Sequence, residues 1–406
     1  MKLGNGRFNV ALAMLLAAPL TVLLQACGSG GSNSSGAGGS ESSQSAVASK
    51  APDPSTAVST DVLNRTLQAA PVLKEAPAAL PAIPIPPAFV AVQTLAVRGE
   101  VVHERVQYMS GTLRINGLVC RPNNNDDVYP ILMYQHAGFG GLRADWNGDG
   151  LCNHFAARGY AVFMSSFRGE DGSDGQVETC LGEVDDSIRL LEIARTQRYV
   201  KPQRAALLGV SHGGCISLQM LARGVDVQVV VDLAGPTEWS SLYDIAAYRT
   251  TLGDASSYQA EFLANADATL GSPTTNPAAY NARSPYYAID NMKDWPGALL
   301  VVHGGKDEVV PPFQSCALVR NMGGFVNSHL NWRYIPRWYE KTTTQHPSEC
   351  GHPEMHWESG AHPGKNNWQA QRHFVFYDRM AHSDGFQLIW ALDDAEDFIR
   401  TKFPGH

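Results

Sequence analysis

From about residue 96 onwards, short apolar runs alternate with longer amphipathic segments. Residues 101–108 alternate between apolar and polar positions, which predicts a half-buried strand, and residues 111–121 fit its hairpin partner. Unbroken apolar runs, typical of buried parallel strands, follow at 131–134, 160–164, 205–209, 227–233 and 298–303. Apolar residues spaced by three or four predict helices at 152–158, 184–195, 215–223 and 313–322. This alternation implies an α/β fold, with a mostly parallel sheet flanked by helices and an antiparallel start.

Two segments interrupt this alternation of strands and helices. Residues 236–296 combine helical pieces with Pro and Asn turns, and we expect a cap-like segment over a site. Residues 324–372 hold several Trp, His and Pro residues, and we expect an insertion of loop character that shapes substrate access. A last strand at 373–377 and a final helix at 386–402 complete a folded domain that we assign to residues 96–406.

The N-terminal residues have a different pattern. Lys2 and Arg7 precede an almost uncharged apolar run at residues 8–24, and Cys27 follows the run closely. This pattern predicts a secretory signal peptide over residues 1–26. Because the run ends at a cysteine, it resembles a bacterial lipoprotein signal, which implies lipidation of Cys27 and export to the cell envelope, in the periplasm or at the cell surface. An uncleaved transmembrane anchor is the alternative.

Residues 27–95 are rich in Ser and Gly and then in Pro and Ala. Such a composition cannot bury a core, so we expect a tether that is flexible first and semi-rigid later. The lipid at Cys27 would be the only attachment to a membrane. The net charge of −8 leaves no basic surplus to neutralise phosphates, so nucleic acid is not an expected partner.

Setting Cys27 aside leaves six cysteines, and an exported protein can join them in disulfides. We expect Cys152 to pair with Cys180, and Cys316 to pair with Cys350. Cys215 lies just inside a predicted helix, where it would serve as a small buried apolar residue. The remaining cysteine is Cys120.

A strand that runs into Gly-x-Ser-x-Gly and then into a helix is the strongest local motif. Here it is the segment Gly209-Val210-Ser211-His212-Gly213. A sharp turn between strand and helix needs glycines where side chains would collide, and it lifts the Ser211 hydroxyl clear of the sheet. The His212 N–H would lie at a helix N-terminus, where it can stabilise an oxyanion. An ordinary tight turn is the alternative.

A nucleophilic serine needs a histidine base, which a carboxylate orients, and in this fold the order along the chain is Ser, acid, His. Asp307 follows the apolar run at 298–303 and a Gly turn, so we predict that it is the acid, with Glu308 as its rival. His382 lies in the loop before the final helix, so we predict that it is the base. Its rival is His373, which fits the last strand better.

The second oxyanion donor should come from the loop after the first core strand, at residues 135–141. The glycines of this loop let backbone N–H groups approach the site. Phe139 or Gly138 would be the donor, and the sequence does not separate the two.

Several segments together are similar to a known family. They are residues 156–162, 167–173 and 185–200, the Gly-x-Ser-x-Gly turn, Ser284-Pro285, residues 303–307 and Val310-Pro311. In combination they resemble the prolyl oligopeptidase catalytic domain and its dienelactone-hydrolase-like relatives, over residues 98–322 and 375–402. The resemblance implies an α/β-hydrolase fold, a triad of Ser211, Asp307 and His382, and no cofactor. The residues before 96 are too few to form the propeller of the family's peptidases, which favours an esterase.

Two groups of residues raise the question of a metal. Residues 145–150 match the first half of an EF-hand loop, but the twelfth position is Ala156 rather than Glu, so we do not expect calcium. A cluster in the insertion lacks a zinc-binding spacing, and we do not expect zinc there. Its members are His346, Glu349, Cys350, His352, His356 and His362.

We therefore predict a serine hydrolase that cleaves a carboxylic ester through an acyl-enzyme. A serine peptidase or amidase with the same residues is the alternative, and a non-catalytic binding protein on a hydrolase scaffold is a third possibility. The substrate would be a small-molecule ester or a short peptide.

Overall fold

The computed structural model describes residues 87–124, 127–142, 150–330, 357–359, 368–377, 380–382 and 385–405. The predicted signal peptide, the lipidation site at Cys27 and most of the predicted tether lie outside the described residues. Among the residues described, no helix combines the length and the apolar character needed to cross a bilayer.

The described strands form one sheet in the order β1-β2-β3-β5-β4-β6-β7-β8-β11-β9-β10. They are β1 (Phe89–Arg98), β2 (Val101–Ser110), β3 (Leu113–Pro122), β4 (Tyr129–Gln135), β5 (Ala161–Ser165), β6 (Val200–Val210), β7 (Val229–Leu233), β8 (Ala298–Gly304), β9 (Val326–Leu330), β10 (Trp357–Ser359) and β11 (Arg372–Tyr377). Antiparallel pairing joins β1 to β2, β2 to β3 and β3 to β5, and the pairs from β5 to β10 are parallel. The prediction of a mostly parallel sheet with an antiparallel start is confirmed.

Helices cover both faces of this sheet because the strands are apolar on both sides. In β6, Ala205 and Leu207 join one buried cluster, and Ala206 and Leu208 join the other. The described helices are α1 (Leu151–Ala156), α2 (Gly182–Ala194), α3 (His212–Ala222), α4 (Trp239–Leu252), α5 (Ser257–Thr269), α6 (Pro277–Arg283), α7 (Ile289–Met292), α8 (Phe313–Met322) and α9 (Gly385–Lys402). Helices α2, α3 and α8 pack on the first face, and α1 and α9 pack on the second.

Residues 236–296, predicted as a cap-like segment, contain α4 to α7 and a 3-10 turn at Pro285–Ala288. Helix α4 begins at a buried N-cap, Glu238, whose carboxylate accepts the N–H groups of Ser240 and Ser241. Helix α5 begins with a capping box between Ser256 and Gln259. Trp239, Phe262 and Tyr280 from these helices are buried in the cluster that contains α3, so the segment is packed against the nucleophile side of the sheet.

Three strands lie where the sequence predicted a tether or a loop. Strand β1 begins at Phe89, inside the range 27–95 assigned to the tether, and its side chains are mostly exposed. Pairing with β2 forms this strand rather than burial, so apolar periodicity did not predict it; the ladder carries register shifts between Phe89 and Ala91 and between Thr94 and Ala96. Strands β9 and β10 lie inside the insertion at 324–372, so the prediction of loop character is wrong there.

The disulfides differ from the predicted pairing. Cys120 on β3 is bonded to Cys152 on α1, and Cys180 is bonded to Cys215 on α3. The predicted pair of Cys152 with Cys180 is therefore wrong, and Cys215 is not a free apolar residue. The pairing follows from packing, because α1 packs on β3, and α2, which follows Cys180 in the chain, packs on α3. Cys316 is also disulfide-bonded, and its predicted partner Cys350 lies outside the described residues.

Candidate active site

The segment from Gly209 to Gly213 forms the turn between β6 and α3 that the sequence predicts. Ser211 has a φ of 53°, a strained value for a residue other than glycine, and its N–H donates to the Leu233 carbonyl of β7 at 2.8 Å. A Cβ at Gly209 would lie 2.1 Å from the Gly213 carbonyl oxygen, and one at Gly213 would lie 2.0 Å from that of Gln135. Only glycine fits at both positions, and the turn presents Ser211 at the carboxyl end of the sheet.

Ser211, His382 and Asp307 lie in a continuous series of hydrogen bonds. His382 Nδ1 lies 2.6 Å from Asp307 Oδ2, and His382 Nε2 lies 2.8 Å from Ser211 Oγ. An ionised carboxylate can only accept, so Nδ1 carries the hydrogen and Nε2 accepts the hydrogen of the Ser211 hydroxyl. Since the three residues come from the ends of β6, β8 and β11, the parallel sheet itself brings them to one edge.

The Asp307 carboxylate is fully buried and is held by several donors. Its Oδ1 accepts the N–H groups of Val309 at 3.0 Å and Val310 at 2.8 Å. Burial by itself raises the pKa of this carboxyl, but the charge of His382 and the hydrogen bonds from His303 and His382 outweigh it and lower the pKa to about 2. Asp307 is therefore ionised over the whole range in which an imidazole can act as a base.

His303 is a neighbour of Asp307 that the sequence analysis did not single out. Its Nε2 lies 3.4 Å from Asp307 Oδ2 and 2.8 Å from the Val310 carbonyl oxygen, and its Nδ1 lies 2.6 Å from Ser315 Oγ. The four-residue spacing between His303 and Asp307 could have indicated this contact. A residue at the end of β8 and one four positions later both lie at the carboxyl edge of the sheet.

The rival residues lie elsewhere. His373 is buried at the start of β11, where it packs edge-to-face against Trp368 and its Nε2 bonds to the Ala370 carbonyl. Burial lowers the pKa of His373 to about 4. The Glu308 side chain is 57% exposed, so it is not the buried partner of an imidazole.

Both segments that raised the question of a metal fall largely outside the described residues, including most of 145–150 and all of 346–356. Among the residues that the structure does describe, no group of three or more His, Cys, Asp or Glu side chains is placed to hold a metal ion.

Gly138 and Phe139 lie beside the nucleophile, together with His212. Gly138 has a φ of 66°, in the left-handed region that favours glycine, and its carbonyl oxygen lies 3.2 Å from His212 Nδ1. The Phe139 ring packs against the His212 imidazole with the ring centroids 4.9 Å apart. The loop after β4 and the first residue of α3 are therefore in direct contact, and both border Ser211.

An open cavity adjoins Ser211, between the loop after β4 and the helices of the segment 236–296. The lining side chains are mostly apolar, and four of them are aromatic. The residues that line it are Gly138, Phe139, Ser211, His212, Pro236, Trp239, Leu242, Tyr258, Gln259, Phe262, Val309 and Val310. Burial, together with the nearby His136, lowers the pKa of His212 to about 3, so none of these side chains is charged near neutral pH.

The chain is similar to one known protein family and to individual bacterial proteins. Residues 149–337 match the model of the prolyl oligopeptidase family. The chain is 22% identical over 232 residues to the uncharacterized peptidase YtmA of Bacillus subtilis (strain 168), which covers 56% of this chain and 82% of that protein. It is also 30% identical over 99 residues to the uncharacterized protein YfhR of Escherichia coli (strain K12), which covers 24% of this chain and 34% of that protein.

Solved structures share the fold at low identity. The acetyl xylan esterase from Paenibacillus sp. R4 matches with a TM-score of 0.50 and 14% identity, over 85% of this chain and 93% of that chain. A putative dipeptidyl aminopeptidase IV from Bacteroides ovatus ATCC 8483 also gives a TM-score of 0.50 and 14% identity, over 75% of this chain but 36% of that chain.

The resemblance and the fold class predicted from the sequence are thereby confirmed. The chain has an α/β-hydrolase fold, its residues 149–337 match the prolyl oligopeptidase family, and it is a serine hydrolase. Both esterase and peptidase activity are compatible with these comparisons.

Proposed function

We propose that this protein hydrolyses carboxylic esters through an acyl-enzyme formed on Ser211. The observation that carries the proposal is the hydrogen-bonded series from the Ser211 hydroxyl through His382 to the buried Asp307 carboxylate. His382 Nε2 takes the hydroxyl proton as Ser211 Oγ attacks the ester carbonyl, and Asp307 holds the imidazolium that results. His382 then returns the proton to the departing alcohol.

The oxyanion of the tetrahedral intermediate needs preorganised donors. The N–H of His212 is one, because the first N–H groups of a helix have no partner within it. A second comes from the loop after β4, at Phe139 or Gly138, which border the same cavity. Water activated by His382 attacks the acyl-enzyme, and the carboxylic acid leaves with Ser211 regenerated.

The cavity next to Ser211 favours a neutral, apolar substrate group. Phe139, Trp239, Tyr258 and Phe262 supply aromatic walls, and none of the lining side chains described carries a charge near neutral pH. A peptidase that recognises a chain terminus would need a carboxylate or a cationic group close to the nucleophile to pair with it. We therefore favour an ester with an apolar acyl or alcohol group.

The second candidate is a serine peptidase or amidase that uses the same residues. The match to the prolyl oligopeptidase family and the relative named as a peptidase favour it. Because ester and amide hydrolysis share one acyl-enzyme mechanism, the leaving group of the substrate is what distinguishes them.

The test is a direct comparison of substrates on the purified protein. We expect hydrolysis of p-nitrophenyl acetate and longer p-nitrophenyl esters, loss of at least about 10⁴-fold in Ser211→Ala, and fluorophosphonate labelling of wild type alone. Faster cleavage of proline-containing p-nitroanilides than of any ester would replace the esterase by the peptidase. Full ester hydrolysis by Ser211→Ala would rule out both.

We also propose that the protein is exported to the bacterial cell envelope and anchored by a lipid on Cys27. The apolar run before Cys27 supports this, and so do two disulfides, which persist in oxidising compartments. Metabolic labelling with a palmitate analogue should mark the wild type and not Cys27→Ala, and the variant should leave the membrane fraction. Equal labelling of the two proteins would exclude lipidation at Cys27.

A further inference from the structure

The His212 imidazole is a buried polar group beside the nucleophile that the triad does not use. The residue is 2% exposed, and both of its ring nitrogens have hydrogen-bond partners. Its Nδ1 lies 3.2 Å from the Gly138 carbonyl oxygen, and its Nε2 lies 3.1 Å from the backbone nitrogen of Cys180. The ring therefore connects two loops that are distant in the sequence, one of which borders Ser211.

The partners of His212 determine which nitrogen carries the hydrogen. The Cys180 N–H can only donate, so Nε2 accepts, and the Gly138 carbonyl can only accept, so Nδ1–H donates. This pattern requires a neutral imidazole. Burial lowers the pKa of His212 to about 3, with a contribution from His136, so the ring stays neutral wherever His382 can act as a base.

The bond to Gly138 fixes the direction of the next N–H group. In a planar trans peptide, the carbonyl and the N–H point in opposite directions. The Gly138 carbonyl points at the buried imidazole, so the Phe139 N–H of the same peptide points away from it. Gly138, Phe139 and Ser211 all line the open cavity. The arrangement thus favours Phe139 over Gly138 as the second oxyanion donor.

The other end of the contact, residues 178–181, is held firmly, and we call it the crosslinked loop. Cys180 is bonded to Cys215 of α3. The buried Glu183 carboxylate accepts the N–H groups of Glu178, Thr179 and Leu181. Thr179 and Cys180 have φ values of 58° and 63°, which residues other than glycine rarely adopt and which surrounding contacts must maintain. The Cys180 N–H is therefore fixed relative to α3.

We propose that the His212 side chain is a positioning residue for the oxyanion donor: held by the Cys180 N–H of the crosslinked loop, it orients the Gly138–Phe139 peptide so that the Phe139 N–H faces the reacting carbonyl. This role rests on the serine hydrolase mechanism proposed above. It is separate from the role of the His212 backbone N–H, which any residue at this position would supply.

Three substitutions of His212 distinguish the effects of the two hydrogen bonds that its ring makes. The amide nitrogen of His212→Asn occupies the place of Nδ1 and can still donate to Gly138, whereas the amide oxygen of His212→Gln occupies the place of Nε2 and can accept only from Cys180. His212→Phe keeps a ring and removes both bonds. With p-nitrophenyl acetate we expect kcat to fall about 100-fold in the Phe and Gln variants and about 10-fold in the Asn variant, which keeps the donor to Gly138 but loses the link to Cys180.

Two further measurements distinguish positioning from a general structural role. The inhibition constant of a trifluoromethyl ketone, whose adduct with Ser211 carries an oxyanion, should rise in parallel with the loss of kcat, while KM changes less than about threefold. The acid limb of the pH–rate profile should not move, because these substitutions leave the triad unchanged.

The proposal is overturned if His212→Phe keeps kcat within about threefold of wild type, or if the Asn and Gln variants lose equal activity. Should the Phe variant fail to fold, the comparison of Asn with Gln still decides. A wild type that hydrolyses neither ester nor amide would instead refute the proposed function. An active wild type, an inactive Ser211→Ala and unaffected His212 variants would refute the positioning role alone.

Discussion

The two sides of the candidate active site support their key groups in different ways. On the acid side, the Asp307 carboxylate receives the N–H groups of Val309 and Val310 and the imidazoles of His382 and His303, each by direct contact. On the oxyanion side, the Gly138 peptide is held by His212, which is held in turn by Cys180.

The Asp307 carboxylate is thus held by several independent contacts, which we call support in parallel. The Gly138 peptide is held by contacts that each depend on the next one, which we call support in series. Loss of one parallel contact leaves the others in place, so the carboxylate keeps its position. Loss of one link in a series releases every group beyond it, and a displaced donor loses most of its electrostatic benefit. The number of contacts around a residue is therefore a poor guide to how strongly substitution of a neighbour displaces it. The arrangement of those contacts matters as well.

The largest expected effect comes from removing the group on which the parallel contacts converge. Asp307→Asn should lower kcat about 10⁴-fold, because an amide can hold His382 in the wrong tautomer. KM should change little. Glu308→Gln removes the neighbouring, exposed carboxylate and serves as the matched control, with kcat unchanged. Steady-state kinetics of the two variants check this, and an Asp307→Asn variant with a tenth of the wild-type kcat would contradict it.

A break at the base of the series should have the next largest effect. The double variant Cys180→Ala/Cys215→Ala frees the crosslinked loop from α3, so we expect kcat to fall about 10-fold to 100-fold. Cys120→Ala/Cys152→Ala removes the other disulfide, which joins β3 to α1, and should change kcat less than about twofold.

The two disulfides form a matched pair because they close loops of nearly equal length. Their sequence separations are 35 and 32 residues, so chain entropy predicts the same stabilisation, about 4 kcal/mol, for each. All four cysteines are fully buried, so the cavity terms are alike. Chemical denaturation should show similar losses for the two double variants, and equal losses of kcat as well would contradict support in series.

A single parallel contact should matter less. His303→Asn removes the Nε2 donor near Asp307 and leaves the Val309, Val310 and His382 contacts in place, so we expect kcat to fall fivefold or less, roughly 1 kcal/mol. His373→Asn alters a buried histidine that does not contact the triad and serves as the control. A loss of kcat in His303→Asn close to that of Asp307→Asn would show that the acid side, too, depends on one link.

His212 and Asp232 are buried groups that should change the pH dependence of stability in opposite directions. Burial lowers the pKa of His212 to about 3 and raises the pKa of Asp232, at the end of β7, to about 7. The unfolded chain binds more protons at His212, so this group makes the free energy of unfolding fall as pH drops from about 6.5 to about 3. The folded chain binds more protons at Asp232, whose contribution falls as pH rises from about 4 to about 7.

Between pH values of about 4 and 6.5 the two slopes oppose each other. Relative to wild type, His212→Asn should therefore lower the slope of the free energy of unfolding against pH by up to about 1.4 kcal/mol per pH unit, and Asp232→Asn should raise it by the same amount. The double variant should have the wild-type slope. Denaturant titrations across this range test the pair, and identical slopes in both single variants would refute the assignment.

Local patterns in the sequence were sufficient for the turn around Ser211 and for the segment that contains Asp307, because each is encoded in fewer than ten consecutive residues. The position of His382 was predicted from the order of strands and helices. In the structure all three side chains are in contact, and their catalytic roles stay predictions.

Contacts between residues that are distant in the chain could not be predicted from local sequence patterns. The partner of Cys215 depends on how the residues before α2 pack on α3, which no spacing encodes, and so the predicted pairing was wrong. The bond between His212 and Gly138 has the same origin. Strand β1 was missed because pairing with β2, rather than a buried apolar face, makes it a strand.

Strand β1 also has features that bear on association between molecules. Within the described part of the chain it is the last strand on its side of the sheet, and Val90, Val92 and Val97 are exposed on it. A regular strand of this kind would be a template for fibril growth. The two interruptions of its ladder within ten residues bend and twist the strand. Such interruptions discourage a second molecule from extending the sheet in register, so we expect the irregular ladder to limit self-association.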